Sequence, residues 1–187
     1  YSQLPNIVYV INSTLSLYYK FAQVKELDKL KTRLKDLYSQ HPCVFVSDGV
    51  KDDFTYHLGG ITAITTINKP IDRDSIQKLA ADFVPEYNYY INHVGSFKEA
   101  KRHDILLEAY AKTDQSLPLL LLGQGKLKND IEQLIQTLNL TDNVKLLGFH
   151  KNSYPYVKHA LFEVLTSNRE GFPMVLAEAL AIGTPVI

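Results

Sequence analysis

Residues 161–187, "LFEVLTSNREGFPMVLAEALAIGTPVI", decide the fold. "LFEVLTS" (161–167) is an aliphatic run with strand character, and "NREGF" (168–172) is the loop beyond its carboxyl end. "PMVLAEALAI" (173–182) then reads as a helix. Pro173 suits the first helical position, where no N–H is missed. Gly183 suits the left-handed stop and Pro185 prevents continuation, so Pro185-Val186-Ile187 reads as the first step of a new strand. Strand, helix and strand in so short a span make one unit of a parallel α/β sheet.

The same alternation extends backwards. Aliphatic or β-branched runs recur at "CVFVS" (43–47), "ITAITTI" (61–67), "YYINHVG" (89–95), "LPLLLLG" (117–123) and "NVKLLGF" (143–149). Helical patterns separate several of them, such as "RHDILLEAYAKT" (102–113) and "LKNDIEQLIQTLNL" (127–140). In the latter, Ile131, Leu134, Ile135 and Leu138 recur at helical spacing. Near-continuous apolar strands between helices imply a parallel sheet covered on both faces. Ligands of such sheets bind at the carboxyl ends of the strands, so the residues just after each run are the ones to interrogate. Nearer the start, "NIVYVIN" (6–12) reads as a strand and residues 20–40 as one long Lys-rich helix. Its Leu27, Leu30, Leu34 and Leu37 share a face, with the lysines in solvent. "INKPIDRDS" (67–75) is a loop leading into a short helix. These patterns divide the chain into the tail of one α/β domain (1–67), a linker (68–88) and most of a second α/β domain (89–187).

Composition narrows the class. Of 187 residues, 45% are hydrophobic and 21% charged, which is globular rather than disordered. Twenty basic residues balance twenty acidic ones, so no broad field favours nucleic acid and any anionic ligand needs a local site. Cys43 is the one cysteine and sits among apolar neighbours, as a small buried side chain would. It has no internal disulfide partner, which fits a reducing compartment. No apolar run approaches the roughly 20 residues of a membrane-spanning helix, and no signal-peptide pattern stands at the start. Tyr1 in place of Met, together with the abrupt end, suggests a piece of a longer protein.

Several strand ends carry chemistry. Glu170 lies in the loop ahead of the last helix and Glu178 on its second turn. With a rise of about 1.5 Å per residue, both can face a ligand over the helix N-terminus, where free N–H groups suit phosphate. A carboxylate pair beside a phosphate site fits a polyhydroxylated anion, although spacing alone equally allows a surface charge and a loop charge. Lys101 and Arg102 stand at a strand-to-helix junction, where cations would meet a diphosphate or simply solvent. Gly123-Gln124-Gly125 and Gly148 follow apolar runs, which fits a ligand's approach or only a tight turn. The six histidines show no metal-ligand spacing with one another or with Cys43.

Taken in order, this set resembles the C-terminal half of the family-four, or "group 1", glycosyltransferases, which are retaining, nucleotide-sugar-dependent enzymes of the GT-B fold. The anchor is "EGFPMVLAE" followed by A-x-x-x-G-x-P-V-I, and the resemblance spans residues 43–187. "TINKPID" looks like the opening of the family's nucleotide-binding domain. The resemblance implies a GT-B-type Rossmann-like parallel sheet with helices on both faces, truncated at both ends. On it, Glu170 would bind the transferred sugar and stabilise charge near the anomeric carbon. The amides of Gly171 and Phe172 would support the sugar or phosphate, and Glu178 would accept the ribose hydroxyls. Lys101, after the Gly95 turn, would neutralise the diphosphate. Phe149 and His150 would lie along the base. The family's arginine after that glycine is Ser96 here, and Arg102 would stand in for it. No metal or other cofactor is expected. The implied partners are a nucleotide-sugar donor and a glycan or glycolipid acceptor of the cell envelope or lipopolysaccharide. The implied place is the cytoplasm, with peripheral association at the inner membrane face. The alternative is a non-catalytic nucleotide- or phosphate-sugar-binding module. An epimerase or phosphorylase on this fold is a third reading, but no motif supports the phosphorylase's pyridoxal-phosphate lysine.

Overall fold

A computed structural model describes residues 7–60 and 64–187. They form two compact units. One contains the described residues up to Pro70 together with Arg169–Phe172, and the other contains Ile71–Asn168 and Pro173–Ile187.

In the first unit, β1 (Tyr9–Ile11), β2 (Cys43–Phe45) and β3 (Ile64–Thr66) form a parallel sheet in the order β1-β2-β3. Residues 61–63 of the expected run 61–67, and Asn6 of the run 6–12, lie outside the described residues. Helices α1 (Leu15–Tyr18), α2 (Leu27–Tyr38) and α3 (Asp48–Leu58) connect the strands. Their core includes Ile11, Leu15, Phe21, Leu34, Phe45, Val50 and Phe54. Ser47 caps α3 by accepting the Val50 N–H. Asp53 of α3 does the same for α1, accepting the Leu15 and Ser16 N–H groups at 2.7 and 3.2 Å. Residues 20–40 are not one helix. Lys20 adopts a left-handed conformation (φ 50°), a 3-10 turn covers Phe21–Gln23, and α2 begins only at Leu27. Burial of Phe21 in the core outweighs helical propensity across this break. Leu34 faces that core with Leu27 and Leu30 beside it, whereas Leu37 is 42% exposed. Cys43 is fully buried, and burial pushes its thiol up from the ordinary value.

In the second unit, β4 (Ile91–Val94), β5 (Leu119–Leu122), β6 (Val144–Gly148) and β7 (Phe162–Glu163) are all parallel, in the order β6-β5-β4-β7. All four residues of β5 are buried, as an apolar run covered on both faces requires. Phe97, Leu107, Leu119, Leu121 and Ile131 form the core with α5 (His103–Tyr110) and α6 (Lys128–Thr137). Tyr90, Leu120 and Leu122 face the other way, towards Tyr156 of α7 (Tyr154–His159). Helix α4 (Arg73–Leu79) lies within the stretch 68–88 and packs on α8 (Met174–Ile182). Gly183 ends α8 with φ 97°, and Val186 bridges Glu163 in parallel, as the new strand predicted at 185–187. Strand order runs outward from β4 in both directions. The gap between β4 and β7 is therefore the switch point where doubly wound sheets place their ligands.

Candidate functional site

Three strand ends of the second unit open onto one cleft of about 810 Å3. Its walls are the turn after β4 (Gly95, Ser96, Lys98), the turn after β5 (Gly123, Gln124, Gly125, with Lys128) and the segment after β6 (Phe149, His150, Ser153). Main chain binds these turns together. Gly95 N–H donates to the Leu122 carbonyl at 2.9 Å, Phe97 N–H to that of Gln124 at 3.0 Å, and Gly123 N–H to that of Gly148 at 2.8 Å. A Cβ on Gly123 would overlap the Gly95 carbonyl, and one on Gly125 the main chain of Phe97. The Gly-x-Gly of 123–125 therefore lets two turns touch backbone to backbone. A Cβ on Gly95 would fall 2.9 Å from His93 Nε2.

The charge on this lining is of one sign. Lys98 and Lys128 line the cleft, and no carboxylate does so among the described residues. Lys128 also opens α6, whose N-terminal dipole adds to the attraction for an anion. Phe149 is 66% exposed, an apolar ring left uncovered beside polar turns. Lys98 and Lys128 were missed in the sequence. Their signal was their position just after apolar runs, within the same junctions that drew attention to Lys101.

Lys101 ends a 3-10 turn, Glu99–Lys101, and its side chain passes the Gly95 turn, with Cδ 3.6 Å from the position a Gly95 Cβ would take. The segment after β7 holds this turn. Thr166 Oγ1 donates to the Lys101 and Arg102 carbonyls at 3.1 Å each, and Asn168 N–H donates to the Ala100 carbonyl at 3.0 Å. Arg102 does not stand in for the missing arginine in this cleft. Its guanidinium forks onto Asp104 at 2.8–3.1 Å and lines a separate hollow of about 230 Å3. Its backbone is left-handed (φ 49°) at the start of α5.

Beneath the turn, His93 and His103 stack edge to face, 4.8 Å between ring centres. Burial, then the neighbouring His103, pushes His93 down to about 3; burial, then Lys101, pushes His103 down to about 4. Both are neutral at pH 7. Among the described residues no three His, Cys, Asp or Glu side chains stand together as a metal site.

Glu178 lies on the second turn of α8, half-buried, and accepts a hydrogen bond from the Tyr154 hydroxyl of α7. Burial raises its carboxyl above the ordinary value and the Tyr154 bond opposes the shift. Glu170, Gly171 and Phe172 belong with the first unit. There the Ser47 hydroxyl donates to the Gly171 carbonyl at 2.7 Å, a Cβ on Gly171 would overlap the Asn12 carbonyl, and Phe172 packs on the core. The expected set is thus distributed. Gly95, Ser96, Phe149 and His150 line the cleft, Lys101 lies beside its first turn, Glu178 bonds Tyr154 next to the lining Ser153, and Arg102 stands at the separate hollow.

The parallel sheets with helices on both faces and this arrangement of strand ends define an α/β fold of the GT-B type. Known structures share it. Anabaena HepE in complex with UDP-glucose superposes with a TM-score of 0.77 at 22% identity, covering 96% of this chain and 52% of that one. The lipopolysaccharide outer core galactosyltransferase WaaB superposes with a TM-score of 0.68 at 19% identity, covering 99% and 57%. The model of the family "Glycosyl transferases group 1" matches residues 76–187, more than half of the chain, and the chain belongs to that family. Among curated relatives, the Campylobacter jejuni N-acetylgalactosamine-N,N'-diacetylbacillosaminyl-diphospho-undecaprenol 4-alpha-N-acetylgalactosaminyltransferase is 38% identical over 117 residues, 63% of this chain and 32% of its own length. The Escherichia coli lipopolysaccharide 1,6-galactosyltransferase is 26% identical over 147 residues, 76% of this chain and 41% of its own length. The chain spans about a third of the length of the first curated relatives it matches.

Proposed function

We propose that this chain contributes the donor-binding part of a retaining glycosyltransferase, which moves a sugar from a nucleoside diphosphate to a glycan or glycolipid. The observation that carries the reading is the cleft at the carboxyl ends of β4, β5 and β6, with backbone turns, two lysines, no carboxylate among the described residues and an exposed Phe149. That lining suits a diphosphate beside a flat base. In this reading Lys101, Lys98 and Lys128 share the charge of the leaving diphosphate, and the two strand-end lysines supply what Ser96 lacks. Electrostatic help of this kind is worth most where charge develops in the transition state. Glu178 accepts the ribose hydroxyls, and Glu170 with the Gly171 and Phe172 amides holds the transferred sugar. No metal or other cofactor takes part. The curated names of relatives that act on undecaprenol-linked or lipopolysaccharide sugars support an acceptor in the cell envelope. The expected setting is the cytoplasmic face of the membrane, by peripheral association; among the described residues no helix is long and apolar enough to cross one.

The test is calorimetric titration of the full-length protein with uridine and guanosine diphosphates, followed by transfer assays with and without a chelator. Proton NMR of the product then reports its anomeric configuration. Binding by one nucleotide, chelator-resistant transfer and an unchanged configuration are expected. A donor bound and never transferred, with any glycan or glycolipid acceptor tried, would favour a non-catalytic sugar-nucleotide-binding module.

A further inference from the structure

The ladder between β4 and β7 stops one bond early, at the switch point. Parallel pairing joins Ile91 with Phe162 and Asn92 with Glu163, and Val164 N–H donates to the Asn92 carbonyl at 2.9 Å. The next bond of a regular ladder would run from Val94 N–H to the Val164 carbonyl. Side chains take both ends of it instead. Val94 N–H donates to Glu163 Oε1 at 2.7 Å, and His93 Nδ1–H donates to the Val164 carbonyl at 2.8 Å. Glu163 is fully buried, and its other oxygen accepts from Asn92 Nδ2 at 2.5 Å. Each strand therefore satisfies the other's orphaned backbone group with a side chain, which a buried N–H or C=O demands.

This substitution has a spatial consequence. With the ladder ended at Asn92, the chain after Val164 leaves β4. Thr166 and Asn168 bind the carbonyls of Ala100, Lys101 and Arg102 instead of strand neighbours. The Gly95–Lys101 turn thus sits in the opening between the two strand ends. We infer that Glu163 and His93 are positioning residues of the donor site, a pair of side-chain splints that hold the β4 and β7 ends apart so that this turn can seat between them. The link to the donor rests on the reading of the cleft given above. The splint itself concerns only Val94, Val164 and the side chains that replace their bond.

Three variants of the full-length protein test it: Glu163→Leu, Glu163→Asp and Glu163→Gln. Leucine removes the acceptor, and aspartate keeps the carboxyl group but is one methylene short of spanning Asn92 and the Val94 amide. Glutamine restores both bonds, accepting from Val94 and donating to the unpartnered Asn92 Oδ1. Amide exchange at Val94 and Gly95, followed by NMR, should quicken by roughly tenfold or more in the leucine and aspartate variants and stay near wild type in the glutamine variant. Affinity for inorganic pyrophosphate, read from the Gly95 and Ser96 amide shifts, should fall roughly tenfold in the same two variants. The aspartate variant carries the test if leucine prevents folding. Unchanged exchange and pyrophosphate affinity in the aspartate or leucine variant would overturn the inference. Altered exchange with no pyrophosphate response even in wild type would uphold the splint and overturn the donor-site reading.

Discussion

Gly95 is confined on two sides, by His93 Nε2 at 2.9 Å from the position a Cβ would take and by Gly123, whose own Cβ would overlap the Gly95 carbonyl. Gly95→Ala should therefore push the buried imidazole aside. We expect affinity for nucleoside diphosphate to fall roughly tenfold, measured by calorimetry, with circular dichroism unchanged. Glu178 is a residue of another kind. Removing its charge in Glu178→Gln should weaken nucleoside diphosphate binding by ~1.5–3 kcal/mol with a small change in melting temperature, because a half-exposed helix residue contributes little to stability. Tyr154→Phe tests its partner. The hydroxyl favours the carboxylate, so its loss should raise the Glu178 pKa further and move the acidic limb of nucleotide binding to higher pH. The chain order disclosed Glu178 as a candidate, but Tyr154 was not legible. Twenty-four positions separate the two, and only the packing of α7 on α8 unites them.

At the scale of elements, the junction of β4 and β7 should control how stability depends on pH. Burial holds the Glu163 carboxyl up to about 7, against an ordinary 4.5. The fold thus keeps a proton that the unfolded chain releases, and stability falls as pH climbs from about 4.5 to about 7. His93 acts in the opposite sense. The unfolded chain gains a proton that the buried ring refuses, so stability is lost as pH drops from 6.5 towards about 3. Relative to Glu163→Gln, wild type should therefore lose about 0.8 kcal/mol of stability between pH 6.5 and pH 8 in chemical denaturation, a loss that the deprotonation of the unfolded chain's His93 and His103 offsets in the total. Thr166→Val, nearly isosteric, should leave both contributions alone and loosen only the Lys101 turn, seen as faster amide exchange at Lys101 and Arg102. The runs of apolar residues made β4, β5 and β6 readable. The run 161–167 looked equally regular, yet only Phe162–Glu163 is laddered on β4. Periodicity sees which face a side chain takes, and it cannot see a carboxylate or an imidazole taking over a backbone bond. For a similar reason the break at Lys20 went unseen, since it depends on Phe21 finding the core of a distant strand.

Across the whole molecule, the chain leaves the second unit after Asn168 and returns at Pro173, so four residues near the end belong with the described residues before Pro70. No local pattern could have placed this loop there, because Gly171 meets Asn12, Val46 and Ser47, more than a hundred positions away. The bond from the Arg169 guanidinium to the Leu17 carbonyl at 3.1 Å belongs to the same set of contacts. A piece comprising residues 71–187, expressed alone, should therefore be cut by trypsin after Arg169 at low protease, while the intact chain resists; equal resistance would show that the loop needs none of those contacts. The pairing of α4 with α8 has a consequence in time. Gln77 donates to the Ala181 carbonyl at 3.3 Å, and on the outer side of β7 Glu163 N–H donates to the Pro185 carbonyl and Leu165 N–H to that of Ile187, both at 2.9 Å. During synthesis the strands β4, β5 and β6 can be made and paired while the helix that closes their unit does not yet exist. For that interval the nascent chain presents an unfinished sheet edge, and the rate at which residues 174–187 emerge limits how long it stays open to wrong partners.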